Sequence, residues 1–448
     1  MVRPSVLAAA ALSVTLAAAQ ARPVIEADGT IVAEGIGRVR LQGVDASGAE
    51  LAAHLRRLIA DAEIDVRVDG KQDGHAIAIV RRKGEAASLN EVLLARGVGF
   101  YRTTTKSVGE HGALAAATER ARRAGLGVWR GVRRCAGAPP LQRGASLGLY
   151  FKVDRDYHLQ LDRIAKIGAD WVQLLLTVFV DRVDSSTIER DPKRTVSDAR
   201  LRETIRYALK SGLRVSLLPV LLIRNADNDD DWRGTLRPAD PGKFWRSYDS
   251  LLCRYLDIAR EEKVDMFSVG SELCSLEKHW DVWPRLIQNA RGRYAGWLTY
   301  SVNWDHYQVP RFWHLLDQVG MTGYFELTED KNARLAQLTA AWRRVRKEIE
   351  QVSKRLDRPI VLTELGYASQ DGANTAPWNY LLATGDIDLR EQADCFEAFA
   401  QVMADATFLH GVYVYGFFEQ GGPKDHTYAV WDKPAREVVE RLLKDFRR

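Results

Sequence analysis

The sequence is poor in several respects, and each shortage excludes something. It holds four cysteines in 448 residues, too few for a disulfide-stapled scaffold. Beyond the N-terminal twenty or so residues, no run of about 18 uninterrupted apolar residues occurs, so the mature chain is expected to be soluble. No glycine-rich dinucleotide loop follows any strand-like run. Net charge is only +5, from 64 Lys and Arg against 59 Asp and Glu, too little at this length to announce a nucleic-acid binder. Hydrophobic and charged fractions of 46% and 27% are globular values, which exclude a largely disordered or fibrous chain. Tryptophan, in contrast, is plentiful: there are twelve.

The N-terminus has the pattern of an address. Arg3 precedes an apolar stretch from Val6 to Ala19, and Ala19-Gln20-Ala21 fits the small-x-small rule for signal peptidase. A removable secretory leader over residues 1–21 is expected, and with it a secreted or periplasmic location. A mitochondrial-type leader or an uncleaved anchor is the alternative. No Cys follows the run, which argues against a lipoprotein. Export would permit disulfides among Cys135, Cys253, Cys274 and Cys395, but spacing alone does not give a pairing.

The remaining chain reads as two parts. From residue 22 to 135, β-like runs precede helices: Arg38–Val44 alternates polar and apolar, Ala76–Val80 is a second strand, and Glu91–Gly97 and Gly112–Ala124 read as helices. Cys135-Ala-Gly-Ala-Pro-Pro140 is turn-rich, so a linker is placed over residues 136–143. From residue 144 to 448, eight strand candidates alternate with amphipathic segments such as Leu201–Ser211 and Leu335–Arg355. The strands are Ala145–Tyr150, Trp171–Val180, Arg214–Leu222, Met266–Gly270, Leu298–Val302, Gln318–Tyr324, Ile360–Glu364 and Gly411–Phe418. That rhythm predicts an α/β fold, a (β/α)8 TIM barrel, with an open doubly wound sheet as runner-up. Charge and tryptophan divide with the parts. Residues 22–135 carry 19 Lys and Arg against 14 Asp and Glu, and only Trp129 of the twelve tryptophans.

In such barrels the active site lies at the C-terminal ends of the strands. Two strand candidates end in glutamate: Met266-Phe-Ser-Val-Gly-Ser-Glu272, the fourth, and Pro359-Ile-Val-Leu-Thr-Glu364, the seventh. A charged group directly after an apolar strand costs desolvation unless it is paired or working. Strands four and seven face each other across the mouth, which suits the carboxyl pair of glycoside hydrolysis. A structural salt bridge is the alternative for either glutamate alone.

Several motifs also occur in order: Gly168-Ala-Asp-Trp171, Trp232-Arg-Gly234, Val269-Gly-Ser-Glu-Leu273, Leu298-Thr-Tyr-Ser-Val-Asn-Trp-Asp305, Thr363-Glu-Leu-Gly-Tyr367 and Pro377-Trp378. With them, residues 145–420 resemble glycoside hydrolase family 113, a β-mannanase-like group of the retaining TIM-barrel clan. The resemblance implies Glu272 as general acid/base, Glu364 as nucleophile, net retention and a β-linked, mannan-like substrate. Around the pair, Ser271 stands where the clan has an amide for the sugar 2-hydroxyl. Tyr413-Val-Tyr-Gly-Phe417-Phe418 stands where it has a Trp. Tyr324 is placed to hydrogen-bond Glu364, or else to pack. Asn303 and Asp305 suit sugar hydroxyls or a loop turn. Trp232, Trp304 and Trp378 fall in loops where a ring can meet a pyranose face, whereas Trp171 and Trp297 suit the core. His279, His306 and His426 lack ligand spacing, so no metal and no cofactor is expected.

In the first part, Val39-Arg-Leu-Gln-Gly-Val-Asp45-Ala, Leu89–Gly97 and Ala121–Trp129 are similar to staphylococcal-nuclease-like domains. This implies a small five-stranded OB-fold barrel over about residues 24–130. Arg40 and Asp45 match a phosphate clamp and a calcium carboxylate of that family. Gly48 stands where its general base should be, and His75 where its second Arg should be. A catalytically defective binding or spacer module is expected. Arg120, Arg122, Arg123, Arg130, Arg133 and Arg134 read as a solvated helix face, or as a patch for an anionic polymer. The whole is read as an exported β-glycosidase. A carbohydrate-binding pseudoenzyme and a calcium-dependent nuclease with the barrel as scaffold are the alternatives.

Overall fold

A computed structural model describes residues 23–46, 48–59, 62–102, 111–130, 137–150, 155–379, 386–417 and 421–446. The expected leader, Cys135, Arg133, Arg134 and Phe418 lie outside the described residues. The chain divides into two compact units, Met1–Val132 and Arg133–Arg448.

The first unit runs β1 (Val24–Ile25), β2 (Ile31–Ala33), β3 (Gly37–Leu41), β4 (Val44–Asp45), α1 (Ala49–Ile59), β5 (Ile64–Gln72), β6 (His75–Arg82), α2 (Leu89–Ala95), β7 (Phe100–Tyr101) and α3 (His111–Ala124). Its main sheet has the order β1-β2-β3-β6-β5, and β4 pairs separately with β7. In β3 the alternation is realised: Val39 and Leu41 are buried, Arg38 and Arg40 exposed. β5 and β6 are joined by Asp73-Gly74, both at positive φ, the geometry a two-residue hairpin requires. Asn90 ties α2 to the sheet. Its side-chain amide donates to the carbonyls of Gln42 (2.8 Å) and Ala78 (3.1 Å) and accepts from Val80 N (3.0 Å).

The second unit opens with β8 (Gln142–Gly148) and α4 (His158–Lys166), then β9 (Trp171–Val180), α5 (Asp198–Lys210), β10 (Arg214–Ile223) and α6 (Pro241–Glu261). There follow β11 (Met266–Ser271), α7 (Trp283–Arg293), β12 (Trp297–Val302), β13 (Val319–Thr322), α8 (Leu335–Leu356), β14 (Ile360–Leu365), α9 (Leu389–Met403), β15 (Leu409–Tyr415) and α10 (Ala435–Asp445). β8 to β15 close into a parallel eight-stranded barrel. The strands are near-continuous apolar runs because helices cover the outside and side chains fill the inside; β9 is buried along its whole length. The helices carry an apolar stripe. In α5, Leu201, Thr204, Ile205 and Ala208 are buried, and Ser197 caps the N-terminus by accepting from Arg200 N.

Two expectations are corrected. The first barrel strand begins at Gln142, inside the segment read as linker. Gln142 is fully buried and bonded to Gln318 (2.7 Å) and Tyr413 (2.9 Å), a polar contact within the barrel that apolar patterning does not signal. Between β12 and β13, the helix of the expected alternation is reduced to a single 3₁₀ turn, Trp313–Leu315. Phe312 packs its ring against Trp283 and Tyr300, at centroid distances of 4.9 and 5.3 Å. Those rings fill the layer where a helix would lie.

Candidate active site

The end of β11 is shaped by one unusual residue. Glu272 has φ +50°, a left-handed conformation costing about 1–2 kcal/mol for a non-glycine residue. Its surroundings hold it there. Glu272 N donates to Ser301 O (2.8 Å), and Leu273 N donates to Tyr300 OH (2.9 Å). That hydroxyl in turn donates to the buried carboxyl of Glu277 (2.7 Å). Burial, ahead of other effects, pushes Glu277 up to about 7, while its bonds from Tyr300 and His306 act downward. The left-handed turn presents Glu272 to Arg233, which follows β10, and to Thr322, which ends β13. Arg233 Nε donates to Glu272 Oε2 (3.1 Å), and its Nη2 contacts the same oxygen. Thr322 Oγ1 lies 3.2 Å from Glu272 Oε1.

Glu364 projects from β14 beside a bulge, where Thr322 is its register partner. Tyr324 OH donates to Glu364 Oε2 (2.8 Å). Glu364 is 6% exposed and Glu272 4%. Burial, then the charge of Glu272, pushes the Glu364 carboxyl up to about 7; Arg233 and the Tyr324 hydroxyl act in the opposite direction.

A cavity of about 730 Å³ opens over Glu364. Tyr324 and Trp378 line it, with Tyr150, Arg233 and Tyr415, which sequence reasoning did not single out. Tyr150 and Tyr415 share a hydroxyl–hydroxyl bond of 2.6 Å. Trp378 is 47% exposed, and its indole N–H donates to Glu326 (3.0 Å). Arg233 was within reach of the sequence, as the one charge in the Trp-Arg-Gly motif. Thr322 and Tyr150 gave no signal, because a single hydroxyl in an apolar strand or loop has none.

The other expected sugar contacts lie around Arg233 and Thr322. Trp232 lies beneath the Arg233 guanidinium, 5.6 Å from ring centroid to Cζ, and so steadies the arginine that grips Glu272. Asn303 Oδ1 is 3.4 Å from Thr322 Oγ1, and its amide donates to Asp305 (2.7 Å). Trp304 donates its backbone N–H to Thr322 Oγ1 (3.1 Å) and packs its ring edgewise on Phe325. These residues brace Thr322. Ser271 and Phe417 are not among the residues that line the cavity. Ser271 is 2% exposed, and its hydroxyl is buried without a partner among the described residues. Phe417 is fully buried edge-on against Trp431. Gly416 (φ +120°) has just turned the chain inward there, so close that a Cβ would stand 2.1 Å from Tyr428 O.

The three histidines go separate ways. His279 meets the edge of Trp245, His306 faces Glu277 (3.3 Å), and His426 lines the cavity. Cys274, Glu277 and His306 offer ligand atoms within 4.8 Å of one another, but both Glu277 oxygens already face Tyr300 and His306.

A family description, that of glycoside hydrolase family 113, matches residues 150–433. The chain belongs to glycoside hydrolase family 113. Solved GH113 structures agree. A GH113 β-mannanase from Alicyclobacillus acidocaldarius in complex with ManMIm is 25% identical, with TM-score 0.61, over 68% of this chain and 97% of that one. A GH113 β-1,4-mannanase structure gives the same identity and TM-score over 68% of this chain and 99% of that one. Comparison with curated proteins gives no match. The GH113 match begins at residue 150 and so does not touch the first unit. In that unit a hollow of about 400 Å³ is lined by Asp28, Arg40, Asp45 and Arg102 among others, and Asp45 faces Arg102 at 3.7 Å.

Proposed function

We propose that this glycoside hydrolase cleaves a β-linked, mannan-like glycan with net retention. Glu364 is the nucleophile and Glu272 the general acid/base. The observation that carries the reading is a pair of buried glutamates at the ends of the fourth and seventh barrel strands: Glu364 lines the cavity and is bonded by Tyr324, and Glu272 is bonded by Arg233, which lines the same cavity. In the first step Glu364 Oε attacks the anomeric carbon. The glycosidic C–O bond breaks as the Glu272 proton passes to the leaving oxygen. In the second, Glu272 takes a proton from water, whose oxygen displaces Glu364. The relatives named as β-1,4-mannanases support the substrate class. The test is hydrolysis of β-1,4-mannotetraose followed by NMR. A β-anomer must appear first, and Glu364→Ala must abolish turnover; an α-anomer appearing first would refute retention.

One observation favours a second reading. Glu272 is gripped by Arg233, and a proton donor cannot also be the carboxylate half of an ion pair. Arg233 must therefore release Glu272 when substrate enters. A barrel in which it never does is a carbohydrate-binding pseudoenzyme, and glycan binding without turnover would identify it.

For the first unit, we propose a nuclease-like module without nuclease activity. The Asp45–Arg102 pair and the residues Gly48 and His75 support this. So do the pairings of Arg120 with Glu91 and of Arg123 with Glu119, which neutralise part of the basic face. Export is proposed on the pattern of Arg3, the apolar run and Ala19-Gln20-Ala21. Among the described residues no helix is long and apolar enough to cross a membrane.

A further inference from the structure

We infer that the cavity is built for a β-glycan carrying carboxylate groups on its sugars, with Arg194 as the residue that selects it. This substrate class rests on the glycosidase reading above. Arg194 lines the same cavity as Glu364. It sits in a tight turn, with its N–H donating to Asp191 O (3.0 Å). Thr177, a β9 residue on the cavity wall, donates its hydroxyl to Arg194 O (2.7 Å) and so fastens the turn to the barrel. The guanidinium lies over the ring of Phe179, 4.4 Å from its centroid. Phe179 also lines the cavity and is itself buried. A cation seated on a buried ring keeps its position while its N–H edge remains available.

The nearby arginines are neutralised. Arg190 pairs with Asp198 (2.7 Å), Arg224 with Glu189 (3.2 Å), and Arg233 with Glu272. Asp191, the nearest acid in sequence, accepts from Lys193 N (2.9 Å) and stands 4.0 Å from Arg224. Arg194 makes no ion pair among the described residues. The cavity lining includes Arg194, Arg233 and His426 but one carboxyl, Glu364. That carboxyl is bonded by the Tyr324 hydroxyl and makes no ion pair with Arg194. The wall thus presents a cation with no counter-charge. A neutral sugar offers it only hydroxyls; a sugar carboxylate offers the bidentate acceptor that a guanidinium fits. The bland alternative is a solvated surface arginine, whose removal would not alter discrimination between charged and neutral glycans.

The experiment compares a β-1,4-linked mannuronate tetrasaccharide with β-1,4-mannotetraose, which have the same backbone and differ at C6. Binding is measured by titration calorimetry on the full chain carrying Glu364→Ala, which prevents turnover. The mannuronate should bind about tenfold or more tighter, by an advantage that shrinks with added salt. Adding Arg194→Gln should erase that advantage, Arg194→Lys should keep part of it, and mannotetraose affinity should change less than about twofold. Equal affinity for the two glycans, a preference for mannotetraose, no binding of either, or an advantage that survives Arg194→Gln overturns the assignment. Turnover with the unsubstituted chain separates the two readings. Hydrolysis of mannotetraose without charge preference leaves the glycosidase and removes the selectivity. Charge-dependent binding without hydrolysis of either glycan does the reverse.

Discussion

Arg233 bonds Glu272 and Tyr324 bonds Glu364, and both favour the ionised form of Glu364. The acidic limb of the pH–rate profile follows ionisation of the nucleophile. Tyr324→Phe removes a donor to Glu364 Oε2, so that limb should move to higher pH, with kcat down by roughly 10–100-fold. Arg233→Gln should move it the same way, because a positive charge near Glu364 is lost. Initial rates across pH check both; a limb that stays fixed in both variants would separate Glu364 from it. Stability has its own sign. Glu364 and Glu277 are raised from 4.5 to about 7, so between those values the folded chain holds protons that the unfolded chain has lost. Stability is greatest below about pH 4.5 as far as these two groups are concerned, and falls as pH rises through about 7. Scanning calorimetry of the Glu364→Gln variant should show a shallower fall over that window.

The elements that position the site were mostly legible, because parallel strands buried on both faces are short apolar runs set between helical stripes. β9 spans Trp171–Val180 as expected, and β11 and β14 end within a residue of their expected limits. The missing helix after β12 was not legible: Phe312 and Trp313 supply apolar residues in a helix-like cluster, but their rings fill the layer themselves. Two substitutions separate helix stability from strand-end geometry. Ser197→Ala removes the cap of α5 and should cost about 1 kcal/mol in urea unfolding without changing kcat. Gly416→Ala places a methyl 2.1 Å from Tyr428 O at φ +120°. It should cost upward of about 2 kcal/mol and also lower kcat, because β15 carries Tyr415 to the cavity wall.

On the scale of the molecule, two compact units with separate hydrophobic clusters should unfold as two calorimetric transitions. Mannotetraose at saturating concentration should raise only the barrel's transition, since a ligand stabilises the unit that binds it. A single transition that shifts as a whole would show the units to be coupled.

The sequence by itself determined the barrel, its strand order and the two glutamates, because periodic burial and a charge at the end of an apolar strand are local signals. It also located Tyr324 and Trp378, aromatic groups at a strand end and in a loop. Only the tertiary structure decided which side chains meet. It put Arg233 on Glu272, left Ser271 and Phe417 buried, and set the Trp232 ring against the Arg233 guanidinium. Those outcomes depend on a left-handed turn at Glu272, an inward glycine at residue 416 and contacts between residues tens to hundreds of positions apart. No window of the sequence contains both partners of such a contact.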